Sequence, residues 1–287
     1  MRPFIALTAA LALAGCDVGG EPLPALAIQP ASLTVSGVSA GGYMATQYHL
    51  AFGDEVSGAA VLAAGPWFCA RRSMSRALGE CMEAREGAPQ AGELLKRARE
   101  AASEGLIAPL EALAGDRVWL FHGERDERIA RRVGDALAEF YEGLVDPRLV
   151  RYERSVPAAH GFPTLDEGLP CGEADDPYVL DCDFDAAGAL LAHLYGGLAP
   201  RGRAQPASLA VFDQRRYAAE NASLEPFGYV YVPERCRRGE SCRLHIAFHG
   251  CRQSASFAGQ AFTMNAGYNA WAETNGIVVL YPQVKRS

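Results

Sequence analysis

Apolar positions along the chain fall into two patterns. Residues 56–64 (VSGAAVLAA), made mostly of small residues, and the apolar run 118–121 have the pattern of strands buried on both faces of a parallel sheet. Residues 41–52, 91–104 and 130–144 read as helices, 91–104 being rich in Ala, Glu, Lys and Arg. Strand-like runs at 33–36 and 149–152 and a helical run at 184–195 continue the alternation. Residues 197–206 are rich in Pro, Gly and Arg and form a seam. Strands follow at 228–232 and 243–248, then a helix over 261–274 and a strand over 276–281. This β-α-β-α rhythm predicts an α/β fold with a mainly parallel central sheet and helices on both faces. No internal repeat or low-complexity tract interrupts it.

Composition narrows the reading. A chain of 287 residues with 49% hydrophobic content can bury a large core, and residues 31–287 read as a single domain. The net charge is −7 and the basic residues are dispersed, so there is no nucleic-acid footprint. No apolar run reaches the roughly 18 residues that a spanning helix needs. The N-terminus reads as a targeting signal: Arg2, an apolar run over 4–14, then Leu13-Ala14-Gly15-Cys16. Residues 1–16 resemble a bacterial lipoprotein signal, with Cys16 the lipidated residue and 17–30 a Pro/Ala-rich tether. The alternative is an ordinary secretory signal with Cys16 incidental. Either route exports the protein, and membrane contact is expected only through such an anchor.

Export makes disulfides permissible. Of eight cysteines, Cys69 and Cys81, Cys171 and Cys182, and Cys236 and Cys242 are near neighbours and candidates for local bridges, although six cysteines allow 15 pairings. Cys251 is left over.

The candidate chemistry centres on Gly37-Val38-Ser39-Ala40-Gly41. It is G-x-S-x-G between a strand and a helix, the setting that exposes a serine hydroxyl at a helix N-terminus. A Gly/Ser-rich turn without chemistry is the bland alternative, and the partners downstream argue against it. A serine nucleophile needs a base, and the base an orienting acid. Asp126 lies in the turn after strand 118–121, with Glu124 and Asp116 as competitors. His160 follows a strand, sits among small residues and precedes Gly161. Of the other histidines, His49 is expected on a helix surface and His193 in helix packing; His245 and His249 share a strand face, but no Cys or carboxylate set completes a metal site. The oxyanion of an acyl intermediate needs two donors. One is the Ala40 N–H. Too little chain precedes Ser39 to supply the other, and the strand opening into His249-Gly250-Cys251-Arg252-Gln253 is the candidate. The order Ser39, Asp126, His160, oxyanion strand implies a circular permutation with its seam at 197–206.

Together, the Gly37–Gly42 elbow, the His-Gly-Cys-Arg-Gln segment and Gly228-Tyr-Val-Tyr-Val-Pro233 resemble the secreted short-chain-length poly(3-hydroxybutyrate) depolymerases, α/β-hydrolases, and in particular their circularly permuted single-domain branch. The resemblance runs over nearly all of residues 32–287. It implies hydrolysis of ester bonds in hydroxyalkanoate polymer or oligomer, without metal or cofactor. Ser39 would be the nucleophile, Asp126 the acid, His160 the base and the Cys251 N–H an oxyanion donor. Tyr43, Trp67, Phe68 and His249 are candidates for the substrate crevice. In that family the chain continues past the strand at 277–281 into a Cys- and Trp-rich segment that pairs with the cysteine of His-Gly-Cys. The expectation here is therefore a C-terminally truncated chain with Cys251 lacking a sulfur partner. Two other readings stay open: a carbohydrate-directed esterase of feruloyl or acetylxylan type, and a lipid-anchored binding protein that kept the fold without the chemistry.

Overall fold

The computed structural model describes residues 20–219 and 221–285; the expected signal segment and Cys16 lie outside them. The strands are β1 (Ile28–Val38), β2 (Val56–Leu62), β3 (Arg117–Phe121), β4 (Val150–Glu153), β5 (Phe162–Thr164), β6 (Leu169–Pro170), β7 (Val179–Asp181), β8 (Leu209–Asp213), β9 (Phe227–Tyr231), β10 (Cys242–Phe248) and β11 (Ile277–Tyr281). The helices are α1 (Ala40–Ala51), α2 (Met74–Gly79), α3 (Ala91–Ser103), α4 (Arg131–Glu142), α5 (Ala186–Tyr195), α6 (Glu234–Arg237), α7 (Ala255–Ala258), α8 (Ala261–Asn265) and α9 (Tyr268–Asn275).

Eight strands make one sheet in the order β4-β3-β2-β1-β10-β11-β9-β8. Pairings from β4 through β11 are parallel, and β9 and β8 add an antiparallel edge. Strand alternation sends neighbouring side chains to opposite faces. Ala59, Val61, Val118 and Leu120 pack on one face with residues of α1, α3 and α4. Ala60, Leu62, Trp119 and Phe121 pack on the other with residues of α5 and α9. Both faces are thus covered, which is why these strands are apolar throughout rather than alternating.

Three expectations need correction. Residues 28–30, assigned to a tether, belong to β1. Upstream, Leu23 and Leu26 pack on the cluster of Phe212, Val230 and Cys236, and the Glu21 and Ala27 carbonyls accept from the Asp213 and Cys242 amides, each at 2.8 Å. Pro and Ala content suggested a spacer, but the segment's leucines find an apolar edge to cover. The helix expected over 261–274 is two, α8 and α9, divided at Gly267 (φ 89°). The small sheet β5-β7-β6 and the strand β8 were not foreseen, because their runs are too short to show a period. Disulfides join Cys69 to Cys81, Cys171 to Cys182 and Cys236 to Cys242, a pattern suited to an oxidising compartment.

Candidate active site

Ser39 stands at the turn from β1 into α1, with β2 and β10 on either side. Its backbone (φ 57°, ψ −121°) lies where a residue with a side chain is strained by about 1–3 kcal/mol. The surroundings hold it there. Its N–H donates to the Leu62 carbonyl at 2.9 Å, and its own carbonyl accepts from the Tyr43 N–H at 3.0 Å. Close approach requires the flanking glycines: a Cβ on Gly37 would lie 2.1 Å from the Gly41 carbonyl oxygen, and one on Gly41 would lie 2.2 Å from that of Phe248.

Two loops at the same sheet edge bring partners to the hydroxyl. The turn after β3 and the loop after β4 are laced together: the Glu124 N–H donates to Val156 O at 2.9 Å and the Arg125 N–H to Ala158 O at 3.0 Å. Asp126 Oδ1 accepts the Arg128 and Ile129 N–H groups at 2.9 Å each. Its Oδ2 lies 2.9 Å from His160 Nδ1, and its side chain is 1% exposed. His160 Nε2 lies 2.9 Å from Ser39 Oγ. One arrangement of protons satisfies this line: Nδ1–H donates to the carboxylate, and Nε2 accepts the serine O–H. Such a relay can take a proton from the hydroxyl and keep the resulting imidazolium beside a negative charge.

The competing acids are elsewhere. Glu124 is exposed. Asp116 bonds His49 Nε2 at 3.0 Å, and His49 is fully buried with Nδ1 3.2 Å from the Tyr141 hydroxyl. The expectation of a surface His49 is therefore corrected: it faces inward from α1. His193 bonds the Leu149 carbonyl at 2.8 Å, as a packing role requires. Among the described residues no set of His, Cys, Asp and Glu is grouped to hold a metal ion.

The third component follows β10. The Gly250 N–H is taken by Gln253 Oε1 at 2.7 Å, whereas the Cys251 N–H donates to no protein acceptor among the described residues. The Ala40 N–H, in the first turn of α1, has no partner within its helix. Gln253 is 2% exposed, and its Nε2 donates to the carbonyls of Pro177 and Tyr178, 3.0 Å each. The Tyr178 carbonyl also accepts the Phe162 N–H at 2.8 Å, two residues from His160. Gln253 therefore ties the loop after β10 to the loop bearing the histidine. In the sequence the one signal for this role is an amide three residues beyond a glycine that needs its N–H satisfied.

A crevice of about 170 Å³ opens beside these groups, lined by Ser39, His160, Cys251, Met82, Tyr178 and two arginines, Arg128 and Arg252. The aromatic candidates do not line it. Tyr43 donates its hydroxyl to the Cys81 carbonyl, and burial pushes its pKa well up. Trp67 is 8% exposed and packs against Phe68, ring centres 5.1 Å apart, in the cluster that holds Cys69 and Cys81. A disulfide beside them gives these rings an interior to fill, which sequence position alone did not show. His249 is buried, bonds the Gly250 carbonyl through Nδ1 at 2.8 Å and accepts the Val284 N–H at 3.3 Å, so it braces the loop; burial lowers its pKa. The Cys251 thiol is free and exposed.

No family model matches the chain. It is 39% identical over 287 aligned positions to a poly(3-hydroxybutyrate) depolymerase of Delftia acidovorans, covering 97% of this chain and 58% of that protein. It is 34% identical over 280 positions to a polyhydroxybutyrate depolymerase of Talaromyces funiculosus, covering 95% of this chain and 80% of that protein. The chain belongs to the poly(3-hydroxybutyrate) depolymerase family. It spans 58% of the length of the Delftia relative. Two solved depolymerase structures superpose with a TM-score of 0.84, each covering 92% of this chain and 82% of theirs: the enzyme from Penicillium funiculosum at 34% identity, and an S39A depolymerase complexed with an R3HB trimer at 33%. The fold of this depolymerase-family chain is accordingly that of an α/β-hydrolase.

Proposed function

We propose that this chain is a serine esterase that hydrolyses ester bonds of poly(3-hydroxybutyrate) or its oligomers through an acyl-enzyme. The observation that carries the proposal is the unbroken line Ser39–His160–Asp126, with 2.9 Å at each step, in a chain of this family. His160 takes the proton of Ser39 as Oγ attacks the ester carbonyl. Asp126, fixed by two backbone amides, holds the imidazole in the tautomer that leaves Nε2 free to accept. The oxyanion is bound by the N–H groups of Ala40 and Cys251; losing one such donor typically costs about 3 kcal/mol of transition-state stabilisation. The imidazolium then protonates the leaving alcohol, and a water activated by the same base releases the acid. Support for the substrate comes from the relatives: both curated ones carry depolymerase names, and one solved relative holds an R3HB trimer.

Strand order supports the permuted reading as well. The strands after the 197–206 seam, β8 to β11, stand together on one side of β1, and β2 to β4 stand on the other. Cutting at that seam would restore an order in which the oxyanion strand precedes the nucleophile. The three disulfides support export, and attachment through a lipidated Cys16 is proposed with it.

The test is Ser39→Ala. Hydrolysis of hydroxybutyrate oligomers should fall by roughly 10⁶-fold, with an unchanged unfolding temperature and loss of labelling by a fluorophosphonate probe. Near-normal turnover in that variant would remove the serine from the mechanism. Turnover of feruloylated sugars in preference to hydroxybutyrate oligomers would redirect the substrate and leave the relay standing.

A further inference from the structure

Both arginines of the crevice carry a positive charge to its rim, but they are employed differently. Arg252 is bonded to the carboxylate of Asp176. Arg128 is exposed, and its guanidinium makes no ion pair or hydrogen bond among the described residues; only its main-chain N–H is used, by Asp126. An uncompensated cation beside the nucleophile has no evident work on the interior of a polyester, which is uncharged along its length.

The end of such a chain is different. Hydrolysis breaks the bond between acyl carbon and ester oxygen; water adds as hydroxyl to the acyl carbon and as hydrogen to the departing oxygen. In a hydroxyalkanoate the departing alcohol fragment is the one that carries the chain's terminal carboxylate. That fragment leaves past His160, because the imidazolium must reach its oxygen to protonate it. Arg128 sits two residues from Asp126, the partner of His160, and lines the same crevice. A guanidinium is well shaped for a carboxylate, donating two parallel N–H bonds to its two oxygens. The molecule as a whole has a net charge of −7, so its general field does not draw an anionic oligomer in; a local cation is needed.

Resting on the esterase reading above, we infer that Arg128 binds the terminal carboxylate of short hydroxyalkanoate oligomers on the leaving-group side of Ser39. It is a specificity residue that favours cleavage next to a free carboxyl end over cleavage within a long chain.

The experiment compares kcat/KM for the 3-hydroxybutyrate trimer as free acid and as its methyl ester, in the unmodified protein, in Arg128→Gln and in Arg128→Lys. The unmodified protein should prefer the free acid by about three- to tenfold at low ionic strength, mostly through KM, and the preference should shrink in about 0.5 M salt. Arg128→Gln should bring the ratio close to one, and Arg128→Lys should keep part of it. Because the readout is a ratio within each protein, a general loss of activity or folded fraction cancels. A wild-type ratio near one, or a preference that survives in Arg128→Gln, overturns the carboxylate site and leaves the esterase reading intact. Failure to cleave either trimer while p-nitrophenyl butyrate is turned over overturns the oligoester reading and the carboxylate site with it.

Discussion

Ser39 can occupy its strained backbone only because neighbours over-determine it, and Gln253 shows how the same is done for His160. One buried carboxamide accepts the Gly250 N–H and donates to two carbonyls of the loop that supports the histidine. Gln253→Leu fills similar space and leaves the Gly250 N–H and the Pro177 carbonyl without this partner, while the Tyr178 carbonyl keeps the Phe162 N–H. It should lower stability by about 2–4 kcal/mol, a buried unpaired group costing about 1–3 kcal/mol each with partial relaxation. The kcat for oligomer hydrolysis should drop at least tenfold even where the variant is fully folded, as judged by circular dichroism. At this scale the nucleophile and base were readable because each has a local context, an elbow for Ser39 and a small-residue loop tip for His160. Asp126 was separable from Asp116 only by position after a strand; the structure separates them by partner. Gln253 and Met82 had no such context, because their roles depend on loops far away in the sequence.

At the scale of elements, the site depends on how closely α1 enters between β1 and β10. Gly41 is the contact: an added Cβ would meet the Phe248 and His249 carbonyl oxygens at 2.2 and 2.5 Å, both main-chain atoms that cannot swing aside. Gly41→Ala should cost about 1–3 kcal/mol through overpacking and should depress turnover further, since α1 carries the Ala40 amide. Gly92 in α3 is the contrast, with nothing within 4 Å of its added Cβ. Gly92→Ala should be neutral or stabilising by up to about 1 kcal/mol. Urea midpoints of the two variants check the pair. The glycines of the elbow announced tight packing in the sequence, but not that the partner would be a strand some 200 residues downstream.

Across the whole molecule, one buried network ties together strands and helices from opposite ends of the chain. His245 on β10 is fully buried, with Nδ1 2.7 Å from Thr34 Oγ1 and Nε2 2.7 Å from Ser36 Oγ, both on β1. The Ser36 hydroxyl also meets Tyr268 of α9, and Thr34 donates to Tyr195 of α5, each at 2.7 Å. Every donor is used once when the imidazole is neutral, Nδ1–H donating and Nε2 accepting; a second ring proton would leave Ser36 with no acceptor there. Burial accordingly lowers the His245 pKa from its ordinary 6.5 to about 3. The unfolded chain binds that proton below pH 6.5 and the native state does not, so stability is complete above pH 6.5 and declines by about 1.4 kcal/mol per pH unit towards pH 3. Buried His122 and His249 and half-buried His193, also lowered, act in the same direction. The protein should be at least about 2 kcal/mol less stable at about pH 5 than at about pH 7.5, measured by denaturant unfolding. A stability unchanged over that interval would contradict a neutral His245.

Neighbouring residues alone carried the local matters: an α/β rhythm, because strand and helix periods are properties of adjacent positions, and a serine in a strained turn, because flanking glycines permit that turn; the cysteine spacing offered local bridges as candidates and left the pairing to the fold. Tertiary structure decided the rest. Whether an aromatic ring lines a crevice or fills a core, which of three carboxylates meets the imidazole, and which arginine is left without a partner all depend on what a distant loop brings alongside. Burial and pairing arise from whole-chain packing, and no window of sequence contains them.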